Sequence, residues 1–300
     1  MTFTANGEHL IIDNRKSIQV WRVKDGKQVA TMPTESGLIF CVAASNDGRW
    51  IAAGMYYGET LVWDAVSCKQ VFADETECII YDIDFSPASS LTHFVSADGE
   101  NNTATIWDLA TGGKVQILYH NLDVQAAKYS PQGDQIATAT NESVRVWDSR
   151  DGRLLVEVKV PAKSLLRCNN HLFVTTMDQK IRQIDAATGS TVSEWSVPEA
   201  DSCSFIALPQ HGKFIAYTVD NTVTFWDTST LTQLSPIHHT SDIRSIACSS
   251  DGQLFAIADE RKIIIKVISS AILPLLSVRF LSCLNPSGHS THISGATTLY

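Results

Sequence analysis

Two aspartates, Asp82 and Asp84, are the best-spaced pair for acid–base work in this 300-residue chain. On an extended strand, positions i and i+2 share a face. The other reactive side chains do not converge. The nine histidines are dispersed, only His238 and His239 being adjacent, and no carboxylate–histidine set has metal-ligand spacing. The seven cysteines form no CxxC pair. Most lie in apolar runs, as Cys41, Cys203 and Cys248 do, where a free thiol acts as a small hydrophobe. GxSxG, GxxxxGKS, GxxxxGKT and HExxH are all absent. No metal, no cofactor and no catalytic residue is expected, and the chain reads as a non-enzyme.

Bulk properties narrow the partners. The net charge of -9 is wrong for gripping phosphate backbones, so nucleic acid is not expected. An odd cysteine count without a disulfide framework points to a reducing compartment, cytoplasmic or nuclear. The opening "MTFTANGEHL" lacks the basic and apolar regions of a signal peptide. The most apolar stretch, "AILPLLSVRFLSCL" (271–284), is too short to span a bilayer and carries Pro274 and Arg279, so no membrane segment is expected.

The elements that would position any site repeat along the chain. "VWR" at Trp21, "VWD" at Trp63, "IWD" at Trp107, "VWD" at Trp147 and "FWD" at Trp226 end short alternating runs. The spacing is about 40–45 residues, with a double step before Trp226. In that double step "RQIDAATG" puts Ile184-Asp185 at the Trp-Asp place, and "IIIKVIS" puts Lys266 there in a last unit. Polar–glycine turns run in phase: "ANGEHLII", "SNDGRWIAA", "SPQGDQIAT", "PQHGKFIAY" and "SSDGQLFAI". Each period holds four β-type runs bounded by turn residues, and no segment has a helical period.

These residues resemble the WD40-repeat family over nearly the whole chain. The resemblance implies an all-β, seven-bladed β-propeller of four-stranded antiparallel blades spanning 1–268. An atypical segment, 269–300, would complete the last or the first blade. "MTFTANG" aligns with the tail of an inner strand, and such rings commonly close by pairing both termini in one blade. In the family, Trp on the third strand bonds Ser or Thr on the second. That hydroxyl meets a His before the first strand, and an Asp in the second turn completes the set. Here the fullest match is the fourth blade, with His120, Thr138 and Trp147, Asn141 standing where Asp is usual. Trp63, Trp107 and Trp226 take the indole place in other blades. His239 fits the seventh, although Lys266 cannot act as the indole, and Tyr217 replaces the hydroxyl residue in the sixth. Asp82 and Asp84 fall on an inner strand, where carboxylates are read as solvated channel lining.

With chemistry set aside, the faces carry the function. In the loops before the inner strands, Glu35, Asp74, Glu75, Glu77, Asp123, Glu199, Asp201 and Asp242 stand against Lys163 alone. Such a face steers basic peptides and repels nucleic acid. On the same face "MYYGE" presents Tyr56 and Tyr57 as interface anchors. "WDSR" matches the Trp-Asp-x-Arg pattern of cullin-RING substrate receptors, in which Arg150 would contact a ubiquitin-ligase adaptor from the opposite face. The expected function is a protein-interaction scaffold with protein or peptide partners. A ligase substrate receptor and a propeller hydrolase or lactonase are the alternatives.

Overall fold

Two kinds of turn cut the chain into strands. In "SNDG", Gly48 adopts φ 71°, and the Trp50 amide donates to Ser45 Oγ (2.9 Å). "SPQG" repeats this with Gly133 at φ 77° and the Gln135 amide on Ser130 Oγ (3.1 Å). A left-handed residue is needed there, which favours glycine. The second kind uses the aspartate after the tryptophan. Asp64 Oδ1 accepts from the amides of Val66 (3.2 Å) and Ser67 (2.7 Å), and Asp227 Oδ1 accepts from those of Ser229 (2.8 Å) and Thr230 (2.9 Å). Asp185 does the same for Ala187 and Thr188 although Ile184 has replaced the tryptophan. The carboxylate therefore serves the turn whatever precedes it.

In a computed structural model of the chain these strands assemble into a seven-bladed β-propeller. The structure describes residues 1–268, apart from 15, 36–37, 77, 88–91, 198–202, 235 and 260–261. It adds the backbone of 278–281, and gives 203–204 as backbone alone. The blades span 2–33, 39–75, 80–119, 124–158, 162–196, 203–238 and 245–281, each an antiparallel meander running outward from an inner strand. In the sixth, two short strands, Thr232–Gln233 and Ile237–His238, both pair with Thr222–Asp227 to form the outer edge.

The core is divided among the blade interfaces. Ile18, Met32, Met55 and Trp63 pack between blades one and two, and Phe72, Ile83, Phe94 and Trp107 between two and three. Leu118 and Trp147 join three to four, Val146 and Leu165 four to five, Trp195 and Tyr217 five to six, Phe225 and Phe255 six to seven. Trp63, Trp107, Trp147 and Trp226, at the ends of third strands, thus each lie against the preceding blade.

At the seam the described strands are arranged blade by blade. Thr2–Phe3 forms the inner strand of blade one (Thr2 opposite Ile11), and the backbone of Val278–Leu281 forms the outer strand of blade seven (Leu281 opposite Ile263). Among the described residues no strand is exchanged across the seam. The ring closes by packing Phe3 and Leu10 against Ala247, Ala256, Ile263 and Ile265.

Candidate functional site

Inside blade four the hydrogen bonds run in one direction. Trp147 Nε1 donates to Thr138 Oγ1 (2.8 Å), and Thr138 Oγ1 lies 2.8 Å from His120 Nε2. His120 Nδ1 lies 3.1 Å from the Leu118 carbonyl. A carbonyl can only accept, so the His120 proton sits on Nδ1 and Nε2 takes the threonine hydroxyl. Burial pushes the His120 pKa down to about 4, with Arg145 adding to the effect. Asn141 is exposed at the turn, outside this set.

The cross-strand register shows what the other blades do at the hydroxyl place. In blade three Ser96 accepts the Trp107 indole (3.0 Å) and donates to Asp98 Oδ1 (3.1 Å). Thr103 and Thr105 bond the other oxygen of Asp98, which is buried. Burial raises the Asp98 pKa while the three hydroxyls pull it back. In blade six the longer Tyr217 reaches the Trp226 indole with its own hydroxyl (3.0 Å). In blade two Ala53 occupies the place and offers nothing to Trp63. His239 packs beside Asp259, Nε2 to Oδ2 3.7 Å, while the Ser241 hydroxyl donates to Asp259 Oδ2 (2.7 Å). That serine spends its proton on the carboxylate, so the trio is a structural clasp rather than a nucleophile and its base.

Asp82 and Asp84 are not solvated lining. Asp82 Oδ2 accepts the Ala127 amide (3.2 Å) and Oδ1 accepts Lys128 Nζ (2.8 Å). Asp84 Oδ2 accepts the Tyr129 amide (2.8 Å). The i, i+2 carboxylates of one inner strand therefore cap the i, i+2 amides on the free edge of the next. The Asp82 and Lys128 side chains are 18% and 21% exposed. Burial pushes the Asp84 pKa up to about 6. Burial also opposes the charge on Lys128, but Asp82 and Asp84 hold its pKa above the ordinary value. Asp82 Oδ1 also accepts the Ile83 amide of its own strand (3.0 Å), while the contacts to Ala127, Lys128 and Tyr129 run between blades. Among the described residues no group of His, Cys, Asp and Glu could hold a metal.

The face built from the second turns and the loops before the inner strands gathers the exposed aromatics. Tyr56 and Tyr57 meet edge to face at 5.3 Å, 44% and 66% exposed. Phe40, 50% exposed, meets Tyr81 at 5.3 Å in the same geometry. Burial raises the Tyr81 pKa first, and Asp123, Glu100 and Tyr56 add to it, which places those groups around one patch. The Glu59 pKa is raised by burial and then by Glu75 and Glu35. The structure thus brings Tyr56, Tyr57 and Asp123 into one neighbourhood. Asp242 is exposed on blade seven, away from it, and Glu77 and Asp201 lie outside the described residues. Phe40, Tyr81, Glu59 and Glu100 were not singled out from the sequence. The signal available was the aromatic second residue shared by the inner strands Ile39–Ala44 and Ile80–Phe85. Arg150 sits at the other end of blade four in the turn after Trp147, its side chain 80% exposed and 3.8 Å from Asp148.

A family model described as WD domain, G-beta repeat matches residues 26–64, 66–108, 112–148 and 230–265, about half of the chain. Each segment starts in or before one blade's outer strand and ends in the third strand of the next, so the sequence repeat straddles a blade interface. The unmatched stretch contains Ile184 and Tyr217, where the pattern is broken. WD repeat-containing protein 18 of Danio rerio is 23% identical over 278 residues, covering 81% of this chain and 63% of that protein. The chain thus spans just under two thirds of this relative's length. The guanine nucleotide-binding protein subunit beta of Schizosaccharomyces pombe is 22% identical, over 73% of this chain and 88% of that protein. Among solved structures, a chain of the mitotic checkpoint complex aligns with a TM-score of 0.75 at 20% identity, covering 86% of this chain and 82% of that one. This last likeness is one of fold.

Proposed function

We propose, from the premise that this chain belongs to the WD40-repeat family, that it is a protein-interaction scaffold docking a basic peptide segment at blades two and three. The observation that carries this reading is the patch of Phe40, Tyr56, Tyr57 and Tyr81, bordered by Glu35, Glu59, Glu75, Glu100 and Asp123. A lysine or arginine side chain gains there twice, from an aromatic face and from nearby carboxylates. The free thiols of Cys41, Cys68, Cys78, Cys168 and Cys248 support a reducing compartment as its place of work.

The second reading is the ligase substrate receptor, favoured by the outward exposure of Arg150 on the opposite face. One capture experiment addresses both. A lysine-rich and a glutamate-rich peptide are titrated against wild type and Tyr56→Ala/Tyr57→Ala, and Arg150→Ala is used beside wild type to retain proteins from native extract. The lysine-rich peptide binds wild type, weakens as salt rises, and loses about tenfold in the double variant. Salt-insensitive binding, or binding indifferent to the tyrosines, removes the patch reading. Loss of a ligase adaptor with Arg150→Ala would put the receptor reading first.

A further inference from the structure

We propose a second docking site, on the opposite face and independent of the aromatic patch, that takes an acidic peptide through one large apolar side chain. Between blades two and three, at the end carrying the aspartate-capped turns, lies a notch of about 240 Å³. Trp50, Val71, Leu109 and Ala110 line it, with Thr92 and Arg49 at its border. That volume is below the range of pockets for drug-sized ligands and suits a single side chain.

Two cations stand over the tryptophans of this interface. The Arg49 guanidinium lies 4.4 Å from the centre of the Trp50 ring, and Lys114 Nζ lies 4.8 Å from that of Trp107. Arg49 lines the notch itself, and Lys114 stands over Trp107, which packs in one cluster with the notch residues Trp50 and Leu109. Arg49 stays 62% exposed, and its nearest carboxylate, Asp64, is 4.0 Å away. That carboxylate caps the amides of Val66 and Ser67 with Oδ1 and turns Oδ2 to Arg49 only at the long limit of an ion pair, which leaves most of the guanidinium open. In a chain of net charge -9, an apolar notch flanked by two exposed cations selects the opposite partner from the acidic patch. The occupant is a segment with a leucine or phenylalanine between carboxylates: the apolar side chain fills the notch and the carboxylates face Arg49 and Lys114.

The test uses the full chain labelled with fluorotryptophan, read by fluorine NMR at the Trp50 resonance, which is assigned with Trp50→Phe. The probes are the capped peptides Glu-Asp-Leu-Asp-Glu and Glu-Asp-Phe-Asp-Glu, their central-serine versions, and lysine-flanked versions. The expected result is a Trp50 shift with the leucine or phenylalanine acidic probes only. Ala110→Phe, at an exposed turn position, fills the notch and weakens binding about tenfold, while Arg49→Glu weakens it several-fold and flattens its salt dependence. Tyr56→Ala leaves it unchanged. No Trp50 shift with either acidic apolar probe, equal binding of the serine versions, or indifference to Ala110→Phe each overturns the proposal. Thermal midpoints of the variants separate lost binding from lost folding.

Discussion

Thr138 shows how much one hydroxyl can organise. It accepts the Trp147 indole proton and gives its own to His120, whose remaining proton goes to the Leu118 carbonyl. Every buried donor has one acceptor, so removing the hydroxyl orphans two groups at once. Thr138→Val, close in shape, is expected to cost about 2–4 kcal/mol, read as a lower thermal midpoint. The same chain predicts acid sensitivity. His120 has a folded pKa of about 4 against an ordinary 6.5, so its contribution is complete above 6.5 and is lost as pH falls from there towards 4. The loss is about 3 kcal/mol. Asp84, raised to about 6, runs the other way: it adds stability as pH falls from about 6 to its unfolded value of 3.8. His120→Gln should therefore be less stable than wild type above 6.5, yet show no loss, or a gain, on acidification. Thermal midpoints across that window check it. The His120 loss and the Asp84 gain largely offset each other in wild type, so the test is the difference between the two profiles, and an identical change of stability with pH in the variant and in wild type would refute the assignment to His120.

The inner strands display a device of a different kind. An inner strand has one edge facing the channel, and unpaired amides on a free edge need partners. Blade three supplies them to blade four by matching the spacing of Asp82 and Asp84 to that of Ala127 and Tyr129. Asp82→Ala removes both the cap on Ala127 and the partner of Lys128, leaving a half-buried cation. It is expected to cost about 3 kcal/mol and to speed hydrogen exchange at the Ala127 amide. Unchanged exchange there would show that the amide has another acceptor. This element also marks the limit of what the sequence reveals. The blades were legible because turn chemistry is local: Asp64 or Asp185 bonds amides two and three residues on, and Gly48 needs its φ whatever lies elsewhere. Tyr56 and Tyr57 were legible for the same reason, as aromatics in a turn. The Asp82 and Asp84 partners lie 45 residues away on another blade, so the residues could be placed on a shared face but not given their role. Phe40 and Tyr81 were passed over because nothing local distinguishes an exposed inner-strand ring from one in the core. Tyr217 read as a missing hydroxyl, since spacing does not reveal that a longer side chain can reach the same indole.

At the scale of the molecule, the core is a circle of interfaces rather than a centre, and each blade is held by two neighbours. Damage at one interface should therefore weaken the ring as a whole. Leu10, fully buried at the seam, makes the test: Leu10→Ala is expected to cost about 2–5 kcal/mol, with one cooperative thermal transition shifted downward. A separate early transition confined to blades one and seven would show instead that the seam opens alone. The two faces carry opposite chemistries at the same pair of blades: aromatic rings among carboxylates at one end, tryptophans under cations at the other. On the two proposals made above, the molecule would hold a basic and an acidic partner at once, on opposite faces of the same pair of blades. The seam has a mechanical consequence as well. A ring locked by a shared strand must shear a row of backbone hydrogen bonds together before its ends part. In this ring the first strand and the outermost strand of blade seven each belong to their own sheet. Among the described residues nothing ties these two sheets together by backbone hydrogen bonds, so tension applied between Thr2–Phe3 and Val278–Leu281 would peel the outermost strand bond by bond and slide this seam open at low force.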